Sequence, residues 1–180
     1  MSQWYRICTI ALGIVFFAPV ALAQGPFVDV APTSKYTAAI DDLQLRGIVQ
    51  GYPDGTFQPA TRINRYAYLK IIIAARYAQA EITACDSRRY RFADVPQGHW
   101  SEPYLCVAKR DSIVNGYGKG LYGGYDPVNL AQALKIVLES HDTALPTATV
   151  GEAWYAPYLQ AAQARDLLVL ISEDPDYQVR

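Results

Sequence analysis

Few side chains in this 180-residue chain are of types that do covalent or metal chemistry: Cys8, Cys85 and Cys106, and two histidines, His99 and His141. The histidines lack any metal-ligand spacing, and no H-E-x-x-H, G-x-S-x-G or phosphate-loop pattern occurs. Asp41 and Asp42 are sequence neighbours, so on a helix they point to different faces, and Glu173-Asp174 falls in a tail. Asp54-Gly55 begins like a calcium loop but lacks the alternating acidic ligands that follow in one. The pattern argues against an enzyme and implies neither metal nor cofactor. Cys8 sits in the apolar run Ile7 to Ala23, which follows Arg6 and closes on Ala21-Leu22-Ala23. Such a run reads as a secretory signal over residues 1–23, leaving a mature chain from Gln24 with no membrane span. A membrane anchor is the other reading, but the run is short for a span of about 20 residues. In an exported chain the pair Cys85 and Cys106 reads as one disulfide, because the compartment favours oxidation; two separate buried thiols are the alternative.

The elements that must position these groups emerge from an internal repeat. Shifted by 65 residues, Phe27-Val28-Asp29-Val30 falls on Phe92-Ala93-Asp94-Val95, and Ile48-Val49-Gln50-Gly51-Tyr52 on Ile113-Val114-Asn115-Gly116-Tyr117. Without a gap, Gly55 then meets Gly120, Asn64 meets Asn129, and Leu69-Lys70-Ile71 meets Leu134-Lys135-Ile136. A shift of 54 brings Trp154-Tyr155-Ala156-Pro157-Tyr158-Leu159 onto Trp100-Ser101-Glu102-Pro103-Tyr104-Leu105. The expected units are repeat 1 at 24–84, repeat 2 at 85–145, and a partial repeat 3 with a tail at 146–180. With 16 basic and 17 acidic side chains and no basic block, nucleic acid is not an expected partner.

Each repeat reads as helix, loop, helix, giving an all-α fold of about six short helices. Ala39, Ile40 and Leu43 share a helical face, and Gly47 stands where a helix end favours positive φ. Ser112 and Asp166 occupy that place in the other copies and should cap less well. Asn64 and Asn129 are expected N-caps of the second helices, and Gln132 completes a capping box that Ala67 cannot. The second helices bury Leu69, Ile72 and Ile73, and Leu134, Val137 and Leu138, so repeats must pack on one another. The Phe27 and Phe92 segments are expected to run extended. In GYPDGTF, residues 51–57, Pro53 and Gly55 reverse the chain, with Tyr52 and Phe57 folded beneath; Gly116, Tyr117 and Gly120 repeat the device.

F-x-D-V, A-I-x-x-L, G-I, GYPDGTF and a helix-capping segment together resemble the S-layer homology module, over about residues 27–75, 92–140 and 150–168. The resemblance implies a pseudo-threefold helical bundle, here with its third repeat incomplete, and non-covalent attachment to cell-envelope polysaccharide. That polymer often carries acidic pyruvyl groups in this family.

The family's I-T-R-A-E signature becomes Ile63-Asn64-Arg65-Tyr66-Ala67 in repeat 1, which keeps the arginine, and Val128-Asn129-Leu130-Ala131-Gln132 in repeat 2, which loses it. The resemblance implies that Arg65, beside the unpaired N–H groups of a helix start, meets an anionic sugar substituent. A surface ion pair with Asp41 or Asp42 is the plainer role. The family's aromatic position is Lys35, beside Tyr36, in repeat 1, and Trp100 and Trp154 in the others; these rings either stack on sugar or pack over a neighbouring helix. Asp29 and Asp94 are expected to cap the turns that follow them. The implied glycan contacts are thus Arg65, Asn64, Trp100, Trp154 and Tyr36, on a cell-wall polysaccharide or peptidoglycan-linked glycan. The implied location is the cell surface, cell wall or periplasm. The alternative is a degenerate fold serving as a structural or protein-interaction module, binding envelope proteins or itself.

Overall fold

The computed structural model describes residues 27–168. The expected secretory signal at 1–23 and the acidic pair Glu173-Asp174 lie outside the described residues. Within them are six α-helices: α1 (Thr37–Leu45), α2 (Arg65–Arg76), α3 (Gln79–Ala84), α4 (Glu102–Arg110), α5 (Leu130–Ser140) and α6 (Ala156–Gln163). A single 3-10 turn at Gly118–Gly120 is the other helical element, and pairing between extended segments is limited to isolated bridges.

The expected caps form where the sequence placed them. The Asn64 side chain accepts from the Ala67 N–H at 2.9 Å, and Asn129 accepts from Gln132 at 3.0 Å while Gln132 reaches back to the Asn129 N–H. The first helices end alike: Gly47 has φ +69°, and Ser112 and Asp166 adopt φ 61° and 54° at the equivalent sites. A non-glycine residue is strained in that region, which is why the sequence signal was clearest in repeat 1.

Packing follows the apolar faces. Leu69 and Ile73 of α2 are buried with Leu105 and Val107 of α4 and Ile136 of α5 in one cluster. Leu134 and Leu138 of α5 meet Tyr158 and Ala161 of α6 in a second, and Phe27, Ile40 and Ile48 pack beneath Ile71 and Ala74 of α2 in a third. Thus α2 packs against α4 and α5, and α5 against α6.

Three expectations need correction. The Phe27 and Phe92 segments are turns, closed by Val30 N–H to Phe27 O at 3.0 Å and Val95 N–H to Phe92 O at 3.3 Å. Asp29 and Asp94 do not cap those turns. Their carboxylates reach across to the loop of their own repeat, accepting from Phe57 and Gln58 N–H, both at 2.7 Å, and from Tyr122 and Gly123 N–H, both at 2.8 Å. Tyr52 is half exposed and does not fold under its turn; Phe57 does, 5.3 Å from the Phe27 ring.

Helix α3 has no counterpart in the repeat pattern. It occupies the linker, and its C-cap Cys85 is disulfide-bonded to Cys106 of α4, with Cα atoms 6.0 Å apart. Arg110 of α4 also pairs with Glu81 of α3 at 2.8 Å.

Candidate functional site

The loop after α4 returns to cover the start of α2, and this junction builds the site. Arg65 N–H donates to Asp126 O at 3.0 Å and Tyr66 N–H to Gly124 O at 2.9 Å. Gly124 lies so close to the Tyr66 ring that a Cβ there would overlap it. The Tyr122 hydroxyl donates to Arg65 O at 3.0 Å, and Arg65 Nε donates to Tyr122 O at 3.2 Å. The leading N–H groups of α2 are therefore occupied by backbone carbonyls of repeat 2. The anion-attracting helix start expected beside Arg65 is already filled, and the guanidinium alone remains for that role.

Arg65 is not a surface residue: 5% of it is exposed. Asp42, one of its expected ion-pair partners, bonds Arg46 at 3.3 Å. The guanidinium carbon lies 4.9 Å from the Tyr117 ring centroid and 4.7 Å from that of Tyr122, and no carboxylate among the described residues forms an ion pair with it. Aromatic faces attract a cation but leave its outward N–H groups as donors. Burial pushes the Asp94 carboxyl up, but hydrogen bonds from Tyr122 and Gly123 and the Arg65 charge outweigh it and hold the group below its ordinary range. Burial pushes the Tyr122 hydroxyl far up, so it stays protonated to donate its bond to Arg65 O.

Arg65 lines a groove of about 430 Å³ with Tyr117, Asn129, Gln132, Lys135 and Trp154. Gln132 Nε2 donates to the Tyr117 hydroxyl at 3.1 Å, fixing that ring beside the guanidinium. Lys135 brings a second cation, its Nζ 5.7 Å from the Tyr158 ring centroid. Trp154, 55% exposed, stands at the rim. A second groove of about 460 Å³ repeats the frame: Gly51, Tyr52, Lys70 and Ile71 take the places of Gly116, Tyr117, Lys135 and Ile136, and Trp100 that of Trp154. We call these the Arg65 groove and the Tyr52 groove.

The structure thus divides the sequence-derived candidates. Arg65, from repeat 1, lines the groove of repeat 2, as Trp154 does. Trp100 serves the Tyr52 groove, packed edge-on to Tyr66 at 5.9 Å. Asn64 spends its side-chain oxygen on the α2 cap, and Tyr36 precedes α1 and lines neither groove. Gly51 and Gly116 sit in the groove walls at φ +68° and +72°; a Cβ on Gly116 would meet Phe92 Cε1 at 2.6 Å and collide with Leu121 O. Lys135 and Gln132 line the groove without having been expected there, although the recurrence of Lys70 and Lys135 between paired apolar residues was a readable signal.

Residues 26–65 and 91–134 match the S-layer homology domain. A cell surface protein of Thermoanaerobacter kivui is 29% identical over 141 residues, covering 74% of this chain and 18% of that protein. Cell surface glycoprotein 1 of Acetivibrio thermocellus is 22% identical over 123 residues, 65% of this chain and 5% of that one. An uncharacterized cell wall amidase of Bacillus anthracis is 25% identical over 97 residues, 54% of this chain and 17% of that one. The chain spans less than a fifth of each of these relatives.

Proposed function

We propose that this exported, cell-surface chain, whose residues 26–65 and 91–134 are S-layer homology repeats, attaches non-covalently to an anionic cell-wall polysaccharide through the Arg65 groove. The observation that carries the reading is the buried guanidinium held between Tyr117 and Tyr122, with no carboxylate among the described residues close enough to form an ion pair with it. A charge left in that state is costly unless something pairs with it, and a carboxylate on a sugar does so with two parallel N–H bonds. Lys135 adds charge of the same sign, and the exposed face of Trp154 offers a stacking surface for a pyranose.

Arg65 also ties the start of α2 to repeat 2 through Nε to Tyr122 O, but that bond leaves its other guanidinium N–H groups to meet a ligand. The equivalent position in repeat 2 is Leu130, buried in an apolar cluster with Tyr158 and Leu134, so the fold accepts an aliphatic residue there. No catalytic step enters the reading; the amidase named among the relatives shares only 17% of its length with this chain.

The test is co-sedimentation of the purified protein with cell-wall sacculi that retain their polysaccharide. Wild type is expected to pellet and Arg65→Gln to stay in solution, with circular dichroism confirming that the variant is folded. A folded wild type that stays in solution overturns the reading.

A further inference from the structure

The chain holds three asparagines and one Asp-Gly pair, Asp54-Gly55, and their surroundings differ. Asn64 and Asn129 spend their side-chain oxygens on the caps of α2 and α5, and bulky residues, Arg65 and Leu130, follow them. The Asp54 carboxylate accepts from Thr56 N–H at 3.0 Å and from the Thr56 hydroxyl at 2.6 Å, while Gly55 N–H donates to Tyr52 O at 2.9 Å. Asn115, which precedes Gly116, has none of these restraints. It is exposed, and among the described residues neither its side-chain amide nor the Gly116 N–H makes a hydrogen bond. Packing requires glycine at 116, where a Cβ would collide with Leu121 O, and a glycine nitrogen is the least crowded a backbone offers. Repeat 1 has Gln50 at the twin position, before Gly51 with its own positive φ of 68°. Glutamine would have to close a larger ring on that nitrogen, which is slower because more of the side chain must be held in place.

We propose that Asn115 is a site of spontaneous deamidation, and that the change weakens the Arg65 groove; the second half rests on the reading that this groove binds an anionic polymer. The deprotonated Gly116 nitrogen attacks Asn115 Cγ, a C–N bond closes a cyclic imide, and the side-chain nitrogen leaves as ammonia. Water then opens the imide, at the side-chain carbonyl to give aspartate or at the main-chain carbonyl to give isoaspartate. Water is consumed and ammonia released, with no oxidant or reductant. Asn115 lines the Arg65 groove together with Lys135, so either product sets a carboxylate among the cations that face a ligand. Isoaspartate does more, because it adds a methylene to the main chain just ahead of Gly116 and Tyr117. Tyr117 N–H donates to Leu121 O at 2.6 Å, and the Tyr117 ring flanks the guanidinium while its hydroxyl accepts from Gln132. A longer main chain there displaces one wall of the groove.

The experiment ages the folded protein at mildly alkaline pH, digests it with trypsin and follows the fragment 111–119, in which Asn115 is the single asparagine, by mass spectrometry. Asn115 is expected to gain the mass of an amide-to-acid change at nearly the rate seen in the guanidinium-unfolded chain, whereas Asn64 and Asn129 react only when unfolded. Aged wild type should lose co-sedimentation with sacculi in step with its modified fraction, and Asn115→Gln should show no difference between fresh and aged samples. Fresh Asn115→Asp, which carries the charge without the longer main chain, should bind about threefold more weakly than fresh wild type, the size of a partly screened repulsion. The proposal is overturned if Asn115 stays intact in the folded protein while the unfolded chain reacts, or if modified protein binds sacculi as fresh wild type does. A fresh wild type that does not pellet overturns the groove reading instead and leaves the mapping of Asn115 standing.

Discussion

Reduction of the Cys85–Cys106 bond should lower stability by an amount set by the chain it closes. The two cysteines are 21 residues apart, and the chain-entropy relation for a loop of that size gives about 3 kcal/mol. Little else holds α3 to α4 strongly enough to compensate. The Glu81–Arg110 pair at 2.8 Å is largely solvated, and such pairs contribute below about 1 kcal/mol. Ile82 is buried in the main cluster, but it is a single anchor for a six-residue helix. For a domain of this size 1 kcal/mol shifts the melting midpoint by roughly 3 °C, so a fall of about 10 °C is expected. Thermal unfolding followed by far-ultraviolet circular dichroism, with and without reductant, measures it, and alkylation with mass analysis counts thiols. Cys85→Ser is the preferred variant, since Cys106 is fully buried and a hydroxyl there would add its own cost. Neither groove is lined by α3 or the linker, so binding to sacculi at room temperature should survive reduction. A fall below about 2 °C, with the bond shown intact beforehand, would refute the loop-entropy reasoning.

Glycines with positive φ should separate by what surrounds them. Gly116→Ala, which meets Phe92 and Leu121 O, should cost about 2–5 kcal/mol, whereas Gly55→Ala, in open space, should cost about 1 kcal/mol; denaturant melts compare them. Phe57 and Gln58 N–H bonds hold the Asp29 carboxyl low, and Asp94 is lowered on balance, so both are more acidic folded than unfolded. Their contribution to stability is full above the unfolded carboxyl pKa of about 3.9 and is lost as pH falls through the folded values. Asp94→Asn should lower stability at neutral pH and flatten the loss between neutral and acid pH, measured by melts across a pH series. Arg65→Leu, mimicking Leu130, should change stability by no more than about 1–2 kcal/mol while abolishing glycan binding; an unfolded variant would show that the guanidinium is structural.

The repeat was legible because it rests on local chemistry. Asn64 and Asn129 are caps in any helix start, and the left-handed residue after each first helix marks its end whether it is Gly47, Ser112 or Asp166. The disulfide was legible from two cysteines in a chain whose opening apolar run reads as an export signal. Hidden from the sequence were contacts that join residues far apart in the chain. Gly124 O and Asp126 O cap α2, and Asp29 and Asp94 stitch the turn loops; neither leaves any periodic trace. The same distance concealed which groove Arg65 enters, because a residue opening one helix is read with its own repeat until packing places it beside the next. Helix α3 went unseen because six residues are too few for periodicity to register.

The central claim is that a buried guanidinium meets a carboxylate on the wall polymer. Its most direct measurement is co-sedimentation on two preparations of the same sacculi, one untreated and one with its carboxyl groups converted to neutral amides, using wild type and Arg65→Gln. The account predicts that amidation weakens wild type about as much as the substitution does, and that the variant loses little more when both changes are made. Undiminished binding of wild type to the amidated sacculi would contradict it.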